Sequence, residues 1–256
     1  MIAASEIELR AGSDLLLTVP MLRVDKGDRI GLVGRNGAGK TTLTRVLAGE
    51  SAPASGNVKM TGTVGYLPQD PRTADPAQLA SSRILSARGL DAVSIRMSRA
   101  AEALATPGIS SEDFEKAGDR YNRALGEFEG LGGYTAESEA ATIAASIGLD
   151  ERILIQQLGT LSGGQRRRVE LTRILFSDAD VLLLDEPTNH LDADSIRWLR
   201  KYLAAYEGGF IVISHDTELL EETVNKVWHL DANRQEIDLY SMGWSKYLLA
   251  RETDEK

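Results

Sequence analysis

Length, composition and charge already exclude several classes of protein. The chain has 256 residues, 42% of them hydrophobic, which suffices for one large α/β domain or two small ones and excludes a disordered chain. A formal charge of −9 argues against a surface that coats nucleic acid generally, because phosphate affinity depends on clustered lysine and arginine. The absence of cysteine and of long apolar runs argues against disulfides, thiolate metal sites and membrane spans. We therefore expect a soluble, cytoplasmic protein.

The first motif that predicts a binding site is a glycine-rich loop between a strand and a helix. Residues 28–33 predict a short buried strand, and Leu43, Val46 and Leu47 recur at the spacing of one helix face. Between them lies the P-loop pattern G-x-x-x-x-G-K-[ST], whose backbone N–H groups would hold a β-phosphate. We expect Lys40 to reach the β- and γ-phosphates and Thr41 to ligate Mg²⁺. The predicted nucleotide-binding residues are Gly34, Arg35, Asn36, Gly37, Ala38, Gly39, Lys40, Thr41 and Thr42.

Further apolar runs predict an α/β fold. Runs that look like buried strands lie at 64–67, 181–184 and 210–213, with helical patterns between them. That alternation predicts a mostly parallel sheet with helices on its faces.

The segment between Gln69 and Ser162 follows a different pattern. Apolar residues fall at heptad spacing in two stretches, and residues 106–108 separate the two. Ser110, followed by Asp113, predicts the start of the second helix. We expect an antiparallel helical hairpin, and a helical subdomain packed flat on the core is the alternative. The predicted seam residues are Leu90, Val93, Met97, Ala101 and Leu104 in the first helix and Phe114, Ala117, Tyr121, Leu125, Phe128 and Leu131 in the second.

The run at 181–184 leads directly into two acids, Asp185 and Glu186. Such a strand would deliver both carboxylates to the edge of the sheet where the phosphates are expected. We expect Asp185 to hold Mg²⁺, directly or through water, and Glu186 to polarise the water that attacks the γ-phosphate.

A third pattern opens another helix with a serine and two glycines, which favours an anion at the helix N-terminus. With this L-S-G-G-Q string, Leu161, Ser162, Gly163, Gly164 and Gln165, the chain resembles the ABC ATPases. The resemblance covers nearly the whole chain and implies an ABC-type P-loop NTPase fold with an inserted helical subdomain or arm hairpin. The motifs that carry it, in the family's order, are the P-loop, Gln69, the signature, Asp185-Glu186, Leu191-Asp192 and His215.

The resemblance implies a Mg²⁺-dependent ATPase whose active site is shared between two domains. Each ATP would lie between the P-loop of one domain and the signature of the other, so residues 161–165 would act in trans. Gln69 would sense Mg²⁺, and His215 would contact the γ-phosphate and help to position the water.

One string narrows the resemblance further. Thr188-Asn189-His190-Leu191-Asp192 is similar to the T-N-H-L-D string of the ABC-F group, soluble tandem ATPases of which many act on the ribosome in translation or in antibiotic resistance. It implies two partners, a second ABC domain and the ribosome, and no membrane partner. The implied organisation is a nucleotide-binding core at 1–69 and 136–240, a helical subdomain with the arm at 70–135, and the start of an interdomain linker at 241–256.

Base selectivity, the partner of the arm and the function as a whole stay open. No residue before Tyr66 is aromatic, whereas ABC domains usually stack an aromatic ring on adenine, so weak base selectivity is expected. The first hairpin helix carries arginines and the second is rich in acids, so the arm's partner is either RNA or a ribosomal protein. The rival functions are the ATP-binding subunit of an ABC transporter and a regulatory module with negligible turnover.

Overall fold

Two units can be distinguished in the computed structural model, which describes residues 1–69 and 75–254. The first unit comprises Met1–Pro71 and Asp178–Lys256, and the second comprises Arg72–Ser177. The signature segment therefore belongs to the second unit, whereas the sequence-based division assigned it to the core. That division rests on the family resemblance and stays a prediction, and its residues 70–74 and 255–256 lie outside the described part of the chain.

The strands of the first unit form two sheets. A three-stranded antiparallel sheet has the order β2-β1-β4, and a six-stranded sheet has the order β5-β6-β7-β3-β8-β9. The strands are β1 Ile2–Ala11, β2 Asp14–Val24, β3 Arg29–Gly34, β4 Ser55–Met60, β5 Val64–Leu67, β6 Val181–Asp185, β7 Gly209–Ile213, β8 Lys226–Asp231 and β9 Glu236–Tyr240.

The six-stranded sheet confirms the predicted parallel core. Strands β5, β6, β7, β3 and β8 pair in parallel, and only β9 is added antiparallel. Strands β6 and β7 are buried along their whole length, as their continuous apolar runs predict. Because β5, β6, β7 and β3 are neighbours, the loops that follow their carboxyl ends meet at one edge of the sheet.

The antiparallel sheet was not predicted from the sequence. Its strand β1 alternates irregularly, since Ile2, Ala4, Ile7 and Leu9 are buried and the pairing with β4 shifts between Ser5 and Glu8. A bulge of this kind moves side chains from one face to the other and obscures the period-two pattern.

The helices follow in chain order. The α-helices are α1 Lys40–Leu47, α2 Ala80–Leu85, α3 Asp91–Leu104, α4 Ser111–Gly130, α5 Gly133–Ser146, α6 Glu151–Leu154, α7 Gly163–Phe176, α8 Ala193–Ala205, α9 Thr217–Thr223 and α10 Trp244–Asp254. Within 1–69 and 75–254, no helix has both the length and the apolar character needed to cross a bilayer. The core of the first unit packs α1 between its sheets, with Leu43 and Leu47 buried against residues such as Ile30 and Leu32.

In the second unit, α3 and α4 pack along each other as the predicted hairpin. Ser110 caps α4 as predicted, because its hydroxyl accepts a hydrogen bond from the Asp113 N–H at 3.1 Å. The predicted seam is wrong at Ala101, which is exposed, and at the two ends of α4, since the side chains of Phe114 and Leu131 are 50% and 53% exposed. The buried seam consists of Val93, Ala100, Ala117, Ala124 and Phe128.

Signature helix α7 is fixed within the second unit by a buried ion-pair cluster. The Glu170 carboxylate accepts hydrogen bonds from Arg83 at 2.6 Å and 3.1 Å and from Arg173 at 2.9 Å. Two arginines and one carboxylate, mostly removed from water, hold α2 and α7 in register.

Candidate nucleotide-binding site

The loop between β3 and α1 can be formed only by glycines at particular positions. Gly34, Gly37 and Gly39 have positive φ angles of 151°, 81° and 95°. A Cβ atom on Gly34 would lie 2.7 Å from the backbone oxygen of Leu230, so the neighbouring strand β8 also excludes a side chain there. The loop therefore has the backbone conformation that the P-loop pattern requires.

Lys40, the first residue of α1, folds back over this loop. Its amino group donates hydrogen bonds to the backbone oxygens of Gly34 at 2.7 Å and Arg35 at 3.1 Å. Burial lowers the pKa of Lys40, and the nearby Glu186 and Asp185 carboxylates oppose that shift. The side chain thus places a cation at the loop, beside two acids.

Thr41 and Asp185 meet although they are 144 positions apart in the chain. The Thr41 hydroxyl donates a hydrogen bond to Oδ2 of Asp185 at 2.7 Å. Thr41 lies in the first turn of α1, and Asp185 is the last residue of β6. The contact therefore joins the helix that follows the glycine-rich loop to the carboxyl end of β6.

Glu186 and His215 face each other where β6 and β7 end. Glu186 has a positive φ of 51°, a conformation that costs energy for a residue with a side chain. Its N–H donates to the backbone oxygen of Ile213 at 2.8 Å, and its Oε1 lies 3.3 Å from Nε2 of His215. The Glu186 side chain is 11% exposed, whereas that of His215 is 79% exposed.

The electrostatics at Glu186 favour a basic carboxylate. Burial raises the pKa of the Glu186 carboxyl, and the nearby His215 works against that rise. A carboxylate with a raised pKa is a better proton acceptor than a fully hydrated one.

A pocket of about 610 Å³ in the first unit brings most of the predicted residues together. Gly34, Arg35 and Ala38 belong to the same loop but do not line it. The predicted residues that do line it are Asn36, Gly37, Gly39, Lys40, Thr41, Thr42, Gln69, Asp185, Glu186 and His215.

The pocket also contains residues that the sequence did not single out as site residues. Ala11 and Leu16 line it, contributed by the end of β1 and by β2. Thr188 and Asn189, known from the sequence only as part of a family string, line it as well. Ala11 and Leu16 were missed because the antiparallel sheet was missed.

The five signature residues lie in the second unit and open α7. The Ser162 hydroxyl accepts from the Gln165 N–H at 3.2 Å, and Oε1 of Gln165 accepts from the Ser162 N–H at 2.9 Å. These two bonds form a capping box. Ser162 and Gln165, both signature residues, therefore also fix the start of α7. Their role in trans stays a prediction.

The donor set in the pocket suits Mg²⁺. Among the described residues, no group of three or more His, Cys, Asp or Glu could hold a metal by itself. The hydroxyl of Thr41, the carboxylate of Asp185 and the amide of Gln69 are oxygen donors lining one pocket. Mg²⁺ in such sites is held by one or two carboxylates together with substrate phosphates, and these donors fit that arrangement.

Comparison with known families identifies the chain. The family model described as ABC transporter matches residues 17–189, about two thirds of the sequence. The chain belongs to the ABC ATPase family. The predicted fold, an ABC-type P-loop nucleotide-binding domain with helical insertion, is thereby confirmed, and the family is one that hydrolyses ATP.

The curated relatives are longer proteins. The tylosin resistance ATP-binding protein TlrC of Streptomyces fradiae is 32% identical over 244 residues, which are 94% of this chain and 44% of TlrC. The uncharacterized ABC transporter ATP-binding protein YkpA of Bacillus subtilis is 35% identical over 239 residues, 93% of this chain and 43% of YkpA. The chain thus spans less than half the length of these ABC proteins.

A solved structure has the same fold. The dimeric ATP-binding cassette MJ0796, bound to ADP and Pi, aligns with a TM-score of 0.63 over 95% of this chain and 100% of that chain, at 19% sequence identity.

We expect Glu186→Gln to separate ATP binding from hydrolysis. The amide keeps the size of the side chain but cannot accept a proton, so turnover should fall about 10²-fold or more while ATP still binds. Lys40→Ala should instead lose triphosphate affinity. Nucleotide titration and steady-state ATPase assays measure both effects.

A matched control is Glu207→Gln, which makes the same chemical change on a side chain that is 89% exposed. It should leave turnover unchanged. Wild-type turnover in Glu186→Gln would refute the assignment of Glu186.

Leu16 gives a second prediction. Neither Leu16 nor Ala11, the residues that β2 and β1 contribute to the pocket, carries an aromatic ring for stacking on a base, so we expect ATP to be preferred over GTP by less than about tenfold. Leu16→Phe should tighten binding of either nucleotide by about 2- to 12-fold, the equivalent of one aromatic stacking interaction. The control is Met21→Phe, which adds a ring to β2 at an exposed position that does not line the pocket. A strong preference of the wild type for ATP over GTP, measured by competition binding, would show that another side chain contacts the base and distinguishes adenine from guanine.

Proposed function

We propose that this chain is the first nucleotide-binding domain of an ABC-F-type tandem ATPase, which hydrolyses ATP in the cytoplasm to control an interaction with the ribosome. The ATPase part is carried by the convergence of Lys40, Thr41, Asp185, Glu186 and His215 on one pocket. The ribosomal part is carried by the T-N-H-L-D string and by the similarity to TlrC, which is named for tylosin resistance.

Each polar residue of the pocket has a proposed role. Lys40 neutralises the β- and γ-phosphates, which replace the backbone oxygens of Gly34 and Arg35 as its partners. Glu186 accepts a proton from the attacking water, which its raised pKa favours. His215, 3.3 Å from the Glu186 carboxylate, orients that carboxylate and can donate to the γ-phosphate.

Mg²⁺ neutralises charge on the phosphate oxygens when it is bound. Thr41 and Asp185 would hold it, with Gln69 as a further oxygen donor. The hydrogen bond between Thr41 and Asp185 supports this role, because it already brings the hydroxyl and the carboxylate within 2.7 Å of each other.

A second ABC domain is required to complete the site. Residues 161–165 would act on nucleotide bound to that domain, in the same polypeptide or in trans. Two observations support a partner: the start of α7 exposes Ser162 and Gly163, and the chain is less than half as long as its curated relatives.

The ribosomal proposal predicts ATP-dependent co-sedimentation with ribosomes. In the protein as expressed from its own gene, Glu186→Gln should trap the ATP-bound state and pellet with ribosomes, because hydrolysis can no longer release it. Lys40→Ala, which does not reach that state, is the matched control and should stay in the supernatant. The measurement is the bound fraction with and without ATP.

Equal pelleting of the two variants would contradict the ribosomal role. Recovery of Glu186→Gln with washed membranes in place of ribosomes would favour the alternative, the ATP-binding subunit of an ABC transporter.

A further inference from the structure

Four arginines come together on one side of the helical hairpin. Arg96 and Arg99 on α3 and Arg120 and Arg123 on α4 line a groove of about 350 Å³ between the two helices. On each helix the pair is spaced i, i+3, so its two side chains are neighbours on the helix surface. All four side chains are exposed. We call this feature the arginine groove.

The floor of the arginine groove is made of small residues. Ala100, Ala103, Ala117 and Ala124 line it between the arginines. Because three of these alanines are buried seam residues, no large apolar side chain fills the space between the helices at this level. The groove is therefore apolar at its base and cationic along both rims.

Of these four arginines, one forms an ion pair within the described residues. Arg96 pairs with Glu127 at 2.5 Å, and both side chains are 52% exposed, so the pair contributes little to stability. Within the described residues, Arg99, Arg120 and Arg123 form no ion pair. By contrast, two other arginines of this unit, Arg83 and Arg88, are held by Glu170 and Glu139.

The hydrogen-bonding character of the groove selects its ligand. Arginine carries only donors, and Glu127 is the one acidic side chain in the lining. The N–H donors of a peptide would find one acceptor side chain in this lining, Glu127, and would otherwise stay bonded to water. A phosphodiester presents only acceptors, and the planar guanidinium fork matches phosphate oxygens.

We infer that the arginine groove binds the phosphodiester backbone of RNA. The choice of RNA rests on the proposed ribosomal function, and Glu127 can accept a hydrogen bond from a ribose 2′-hydroxyl. The net charge of −9 makes general binding of RNA weak, so the local cluster should dominate whatever binding is observed.

The test uses a fluorescein-labelled RNA duplex of mixed sequence, with binding to the whole chain followed by anisotropy at several salt concentrations without nucleotide. The variant is Arg99→Gln/Arg120→Gln/Arg123→Gln, since glutamine matches arginine in helix propensity. Loss of three phosphate contacts should weaken binding at least about tenfold at low salt and reduce the log–log salt slope by about 2 to 3. Unchanged ATP binding and thermal unfolding would show that the variant is folded.

The matched control is Lys59→Gln/Arg197→Gln/Lys201→Gln, which removes three exposed positive charges from the first unit. It should retain wild-type RNA affinity. Equal affinity of the groove variant and the wild type, equal loss in the control, or tighter binding of poly-glutamate than of RNA would overturn the inference. Ribosomes are absent from this assay, so it stays interpretable even if the co-sedimentation experiment fails.

Discussion

The candidate site depends on the parallel pairing of β6, β7 and β3. This order places the ends of three strands side by side, and each end supplies a different group: Asp185 and Glu186 from β6, His215 after β7, and the glycine-rich loop after β3. The 2.7 Å hydrogen bond between Thr41 and Asp185 joins the first of these ends to the last. A register shift in β6 would move both acids away from the phosphate loop at once.

The conformation and burial of these groups lower the stability of the folded protein. Glu186 has a positive φ and a buried carboxylate, and Lys40 is partly buried against backbone oxygens. Such arrangements cost free energy of folding. We propose that bound triphosphate would pair with the Lys40 ammonium and that bound Mg²⁺ would pair with the Asp185 carboxylate. The strands that precede Glu186 and His215, β6 and β7, are buried along their whole length.

Much of this could be predicted from the sequence, and the failures have physical causes. The predicted strands of the parallel sheet agree with the structure to within one residue at each end, and Val64–Leu67 agrees to the residue. Strand β1 was missed because a bulge breaks its alternation, and Leu16 of the neighbouring strand β2 was missed with the same sheet. The hairpin was found, but heptad spacing alone could not tell that Phe114 and Leu131 are exposed. The arginines of the first hairpin helix were noted in the sequence, but the arginine groove was not predicted because its other two arginines lie on α4, which is acidic overall. Domain limits and residue roles stay predictions.

The central claim is that the pocket is completed by the signature of a second domain. It is tested most directly by mixing two inactive proteins, Lys40→Ala, which keeps its signature, and Ser162→Arg, which keeps its phosphate loop, at a concentration where the wild type hydrolyses ATP. If the signature acts in trans, random pairing leaves one intact composite site in the mixed dimers, and ATPase activity should return to roughly a quarter of the wild-type level. Activity of the mixture that does not exceed the sum of the two separate proteins, or full activity of Ser162→Arg alone, would contradict the claim.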